Sequence, residues 1–563
     1  RTTAPATANL PVVYEYVGGF RALGNWTNFT VDEGEDTREM YRIDLTWQLG
    51  DHSLAAGFDN ETNTATNSTV NSGGVYWLRD PNNEYNACPP ADCPDGGANV
   101  RRRTYESGGV FETNSLAYYI QDTWDINENW TVELGLRNEN FENLNAEGDV
   151  FVEVDDQWAP RTAFVWNPDG VGRNKIFGNW GLYYLPIAAN TNIRMSGGET
   201  YIHDWFAWDG VSEDANRAPT NLGAQWDQTV FGDGSVPDTR STTDRNLDAM
   251  YQSEFILGYS FVTDSGIEMG LKGIYRQLET TIEDVAIDAA VIDYYNSNGG
   301  WDESLVGGDT VEDVFSGFHQ YVLTNPGNAM DVYIPEMQEY IELSPAQLGY
   351  PKAKREYTAL EFTFDRPFDG TWAMNASYTW ANSEGNHEGY VKSDNGQDDA
   401  GITQNFDQPG LTDFSYGKLP THREHTIKVF GSYLFSSGIR VGSSFFWQSG
   451  RPYGCYGVHP TDVFAADYGA DSHFCGGQPV PRGSLGETPD VMKFDLGVQY
   501  NFDVSDFNIL LAFDIFNLFD SANPTLYSEF GETDGGSPDP DFLKIQQYQA
   551  PRSMRLSARV EWD

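Results

Sequence analysis

Over residues 492–502 every second residue is apolar: Met492, Phe494, Leu496, Val498, Tyr500 and Phe502, separated by Lys493, Asp495, Gly497, Gln499 and Asn501. A period of two puts the two sets on opposite faces of a strand. After a tight connection at 503–506 the pattern resumes as Phe507, Ile509, Leu511, Phe513 and Ile515. It returns at the carboxyl end as Met554, Leu556, Ala558, Val560 and Trp562, opposite Arg555, Ser557, Arg559 and Glu561. Strands with one apolar and one polar face suit a wall between lipid and water. A succession of them predicts an all-β fold, a large antiparallel transmembrane β-barrel.

Such a wall escapes a hydropathy test, because only alternate residues face lipid. Mean hydropathy is −0.51, and no apolar run is long enough for a membrane helix, which excludes a helical membrane protein. Aromatic residues make up 14% of the 563-residue chain, which argues against disorder and agrees with aromatic girdles at two membrane interfaces. The net charge of −50 excludes nucleic acid as a partner, since phosphate binding needs a basic surface. Solvation of large exposed loops accounts for this acidity. The competing reading is loops that attract cations or cationic ligands.

Strand-like segments come in pairs joined by tight turns rich in Asp, Asn, Gly, Ser and Pro, at 50–52, 125–129, 167–170, 263–266, 366–370, 436–438 and 503–506. About 16 strands are readable, each near the length that crosses a membrane when tilted. The other connections are long, at 60–114, 186–249, 279–354, 383–424, 449–490 and 520–551, and the two kinds alternate strictly. In outer-membrane barrels short turns are periplasmic and long loops extracellular.

Cys88 with Cys93, and Cys455 with Cys475, each fall inside one long loop. That predicts two local disulfides in an oxidising compartment, and no nearby His/Cys spacing supports a zinc set. Glu133, Arg137, Lys272, Arg276, Glu361, Asp495 and Asp514 lie on polar strand faces and read as a hydrated lumen wall. His203, Trp205, Phe206 and Trp208 form a candidate exposed ligand platform, against which stands simple loop–loop packing. Asp394, Asn395, Asp398 and Asp399 offer hard oxygen ligands suited to Ca²⁺. They lack the spaced Asp pattern and distal Glu of an EF-hand loop, so a solvated acidic turn competes. No nucleophile–base set and no phosphate-cradling glycine loop stands out. The chain is therefore read as a non-enzyme without a cofactor, Ca²⁺ in the long loops aside.

Several stretches resemble TonB-dependent outer-membrane receptors, specifically the large Oar-like group. They include Ala117-Tyr118-Tyr119-Ile120-Gln121-Asp122-Thr123-Trp124 followed by Trp130-Thr131-Val132-Glu133-Leu134-Gly135-Leu136-Arg137. Gly178-Asn179-Trp180-Gly181-Leu182-Tyr183-Tyr184, Ser449-Gly450-Arg451-Pro452-Tyr453, Phe516-Asn517-Leu518-Phe519-Asp520 and Gln549-Ala550-Pro551-Arg552-Ser553 follow in the family's order. The resemblance implies a barrel of about 22 strands with an amino-terminal plug pulled on by TonB. No plug, TonB box or signal peptide is readable, so the amino-terminal part reads as missing, and an even deficit of strands would put Arg1 on the periplasmic side. The last strand ends Trp562-Asp563, where family barrels finish on an aromatic residue.

These readings predict an integral outer-membrane receptor for active uptake, whose extracellular loops bind an unidentified small ligand. Its partners would be TonB through the missing region, and outer-membrane lipid with lipopolysaccharide. The alternatives are a passive porin-like channel, complete as it stands, and a surface structural or adhesion barrel.

Overall fold

The computed structural model describes residues 10–93, 97–397 and 400–562. Fifteen long strands form the wall. They are β1 (Thr30–Leu49), β2 (His52–Asn71), β3 (Asn99–Asn127), β4 (Trp130–Leu144), β5 (Val150–Trp166), β6 (Asn174–Leu185), β7 (Met250–Val262), β8 (Glu268–Thr280), β9 (Arg355–Arg366), β10 (Trp372–Gly385), β11 (His425–Leu434), β12 (Ile439–Gln448), β13 (Val491–Val504), β14 (Phe507–Phe516) and β15 (Ser553–Trp562). Each is antiparallel to the wall strand before it in sequence, an up-and-down meander. Among the described residues β1 and β15 do not pair with each other, so both are edge strands.

The register joins the alternating residues into continuous faces. Leu496, Val498, Tyr500 and Phe502 of β13 stand beside Ile515, Phe513, Leu511 and Ile509 of β14. Leu511, Phe513 and Ile515 in turn stand beside Ala558, Leu556 and Met554 of β15. Many of these side chains are open to the surroundings, Leu556 at 79% and Trp562 at 71%, as expected of a belt that lipid covers. The opposite face is polar and carries ion pairs between directly facing residues: Lys272 with Glu361 at 2.9 Å and Arg555 with Asp514 at 2.8 Å. All seven predicted tight turns join the expected strands. At the first, Gly50 takes φ +62° to close a two-residue connection, a left-handed conformation that glycine adopts without a Cβ penalty.

Four expectations need correcting. Among the described residues the wall has fifteen strands, an odd number, and the first of them starts at the long-loop end instead of the short-turn end. The connections do not alternate strictly in length, because only 145–149 separates β4 from β5 at the long-loop end. Nor are the strands uniformly of membrane-crossing length: β2 has 20 residues and β3 has 29, where about 9–11 suffice to cross. Lastly, much of 60–114 is not a loop but the upper part of β2 and β3, paired from His52↔Trp124 to Val70↔Glu106. Gly108 lies on the tall part of β3 at φ +147°, and a Cβ there would sit 2.1 Å from the Asn67 carbonyl oxygen. Above it β3 is flanked by Tyr76–Asp80 and by Gly198–Ala207, which pairs in turn with Gln225–Asp233.

The largest buried apolar cluster lies within a long loop and not in the wall. Residues 281–354 fold into two antiparallel strand pairs, Glu283–Ala286 with Tyr321–Thr324 and Met330–Ile334 with Glu339–Leu343, together with helix α1 (Asp288–Asn298). Val285, Val291, Phe315, Val322, Val332, Ile341 and Leu343 form its core, and Phe406 from the next long loop packs into it.

Candidate ligand site in the loop cap

The loops at 386–424, 449–490 and 517–552 are tied to one another by buried charges. Asp394 lies 3.4 Å from Arg482, both side chains almost wholly buried. Arg451 lies 3.2 Å from Glu529, and the Gly454 N–H donates to the other Glu529 oxygen at 2.6 Å. Lys392 is 1% exposed, with its ammonium 4.4 Å from the centre of the Tyr456 ring. Arg482 also donates to Asn405. Burial opposes the Asp394 charge, yet Arg482 and Lys392 hold its carboxyl down at about 2. Glu529 goes the other way: burial, and the Asp394 charge beside it, push it up to about 7 despite Arg451. Loop 281–354 joins through Glu283, which is fully buried, accepts from the Thr403 N–H and hydroxyl at 2.8 Å each, and lies 3.2 Å from His387.

The sign of the Glu529 effect is testable. A carboxyl whose folded value is raised favours the folded state at low pH and loses that contribution as pH rises from about 4.5 toward 7. Glu529→Gln mimics the protonated form. Its melting temperature should match wild type near pH 4.5 and exceed it at pH 8; an equal difference at both would show that Glu529 is not protonated in the folded protein.

At the junction of four loops lies a cavity of about 640 Å³. Its lining includes Arg194, Asp284, Phe318, Tyr321, Asp407 and Tyr468. Asp407 is 7% exposed. One of its oxygens accepts from the Tyr468 hydroxyl, while the other carboxylate oxygen, like Oδ1 of Asp284, is buried without a hydrogen-bond partner among the described residues. Burial raises Asp407, with Glu283 adding to the effect, to about 7, and burial together with Asp407 raises Asp284. A cavity of this size holds a small organic molecule, and aromatic walls with a few convergent polar groups are the usual makeup of such sites.

The profile of the outer membrane beta barrel domain matches residues 3–156. The TonB-dependent transporter Oar of Myxococcus xanthus is 26% identical over 506 residues, which is 84% of this chain and 42% of Oar. The protein is an outer-membrane β-barrel. Among solved structures, the outer membrane transporter YddB of Escherichia coli superposes with a TM-score of 0.49 at 12% identity, covering 98% of this barrel's chain and 58% of its own. The siderophore receptor PiuA of Acinetobacter baumannii gives 0.48 at 11%, covering 96% and 57%. The Oar match bears out the resemblance read from the strand motifs, and the barrel chain spans less than half of Oar's length.

Both predicted disulfides of the barrel are formed, Cys88–Cys93 and Cys455–Cys475. The aromatic platform is placed differently from expectation. His203, Trp205 and Phe206 lie on the strand beside the tall part of β3, and Trp205 and Trp208 are 5% and 3% exposed. Trp205 packs on Tyr85, Trp226 and Arg101, while Trp208 lies under the Arg79 guanidinium at 4.8 Å. His203 sits against Tyr201 and Phe231, and burial with Arg101 and Arg103 lowers it to about 4. Of the four residues offered for Ca²⁺, two lie within the described residues. Asp394 is engaged by Arg482, and Asn395 donates to Gln404 and to Asp471; Asp398 and Asp399 lie outside the described residues. A carboxylate already neutralised by a buried guanidinium is a poor cation ligand. Sequence reading missed Asp284, Asp407, Lys392, Arg482 and Glu529, because no short-range pattern links residues that meet only when four loops fold together.

Proposed function

We propose that this barrel serves TonB-dependent uptake, with a ligand caught by its long loops at the cell surface. The observation that carries the reading is the cap: long loops folded into a body with its own core and buried ion pairs, enclosing a cavity. Buried charges are costly to assemble and hold a single arrangement, which suits selective capture more than free passage. The similarity to Oar supports the same reading. TonB would act through an amino-terminal region, and lipid with lipopolysaccharide would cover the apolar belt. An adhesion barrel would have no use for the cavity.

The test is conductance. The intact protein from its native membrane, placed in planar bilayers, should show no steady current, and loss of TonB should abolish uptake of whatever substrate it carries. A large ohmic conductance would establish the passive channel instead.

A further inference from the structure

We propose that Arg101 and Arg103, on the tall part of β3, form a binding site for a soluble organic dianion, a phosphate monoester or a dicarboxylate on a flat body. The site is separate from the cavity in the loop cap and stands independently of the uptake reading.

Four arginines are buried among the described residues: Arg79, Arg101, Arg451 and Arg482. Three of them have a carboxylate, Glu15 at 3.2 Å from Arg79, Glu529 at 3.2 Å from Arg451 and Asp394 at 3.4 Å from Arg482. Arg101, only 8% exposed, has none. Its guanidinium carbon lies instead 5.1 Å from the centre of the Tyr76 ring, 5.9 Å from Trp205 and 6.0 Å from Tyr85. Arg103, two residues on and on the same strand face, is also without an ion pair among the described residues. It lies 4.6 Å from Tyr201, 5.3 Å from Tyr105 and 5.8 Å from that same Tyr76. Scarcity of acid does not explain this, because Asp and Glu number 84 against 34 Lys and Arg. The register even places Glu199 and Asp227 on this face, and neither pairs with these arginines. Arg102, between them on the opposite face, does meet a carboxylate, Asp204 at 2.7 Å. Two like charges held together without a counter-charge repel, and ring faces offset only part of that cost.

Stacking occupies the plane of a guanidinium and leaves its N–H edge for other partners. Nε of each arginine is enclosed, whereas the terminal nitrogens make no hydrogen bond among the described residues and keep accessible surface. Such edges are forked donors that match the paired oxygens of carboxylate and phosphate, and two forks suit two negative charges. His203 stands opposite Arg103 in register. Burial, and after it Arg101 and Arg103, lower His203 to about 4, so it is neutral near pH 7 and the positive field is that of the arginines. Tyr85 beside Arg101 and Phe29 beside Arg103 are 42% and 37% exposed, and a flat body lying against them removes apolar surface from water.

Height selects a soluble ligand over a lipid headgroup. From Asn127 to Arg101 the strand runs about 85 Å, or about 60 Å of height at a tilt of about 45°. A bilayer with its headgroups is about 40–45 Å thick.

The experiment is calorimetric titration of the intact protein in detergent at pH 8 with phenyl phosphate, with terephthalate, and with benzyl alcohol as a neutral body. Phenyl phosphate is close to a dianion there. At least one anion should bind, more weakly as salt is raised, and benzyl alcohol at least about tenfold more weakly. Binding of only one anion supports the site and narrows its class. Arg103→Gln, with near-ultraviolet circular dichroism confirming its fold, should weaken anion binding at least about tenfold. Anion binding undiminished in Arg103→Gln would place the anion elsewhere and overturn the proposal. No binding of either anion to the unaltered protein, or binding no tighter than that of benzyl alcohol, overturns it without any variant. Either failure leaves the uptake reading standing, since conductance and TonB dependence test it separately.

Discussion

Arg482→Ala is expected to destabilise the loop cap by about 3–5 kcal/mol, because removing one partner of a buried ion pair strands the other. Arg482 is the main counter-charge to Asp394, and it also donates to Asn405. Lys392 remains nearby, but its ammonium is directed over the Tyr456 ring, so it does not replace the guanidinium. Limited proteolysis would report the loss as new cleavage in 386–424 and 449–490, with the wall strands still protected. Unchanged cleavage and an unchanged melting profile would mean the pair contributes little to holding the loops together.

Leu360→Arg should cost the wall about 2–4 kcal/mol, the range for an arginine facing lipid near the bilayer midplane. Leu360 lies mid-strand in β9, half exposed on the apolar belt between Gly273 and Trp380. Thr363→Arg is the comparison. Thr363 is on the other face of the same strand, flanked at two residues' distance by Glu361 and Asp365, and faces Gly270 and Ser377. It should change stability by no more than about 0.5 kcal/mol. Urea unfolding in lipid vesicles distinguishes the two, and similar costs for both would contradict the assignment of faces.

The membrane-crossing part of the fold was legible because lipid imposes a rule on sequence. An alternate residue there must be apolar, and the short turns must carry turn-forming residues, so the strand pairs around 50–52 through 503–506 could be read directly. Above the membrane that rule lapses. Residues 60–71, Asn-Glu-Thr-Asn-Thr-Ala-Thr-Asn-Ser-Thr-Val-Asn, have almost no apolar content and read as a loop. They form strand because both neighbours hydrogen-bond to them and because threonine is β-branched. Within 279–354 a signal was present: Met330, Val332 and Ile334 alternate, as do Ile341 and Leu343, as one sheet face of a small core. The candidate site left no such trace. Asp284, Asp407 and Tyr468 are far apart in sequence and gain meaning only from long-range folding.

The strand Gln225–Asp233 has a consequence for how neighbouring copies behave in a crowded membrane. Among the described residues it is bonded on one side only, to Gly198–Ala207, and its position beside the tall part of β3 lifts it well clear of the bilayer. Its free side offers amide groups to any extended chain that drifts past, and such rims readily zip together. Here the rim carries Asp227 and Asp233 in an acidic protein, so two identical rims brought together would set like charges side by side. Electrostatic repulsion can thus keep adjacent copies of the barrel from fusing into sheets across the cell surface, at a height where the lipid itself offers no separation.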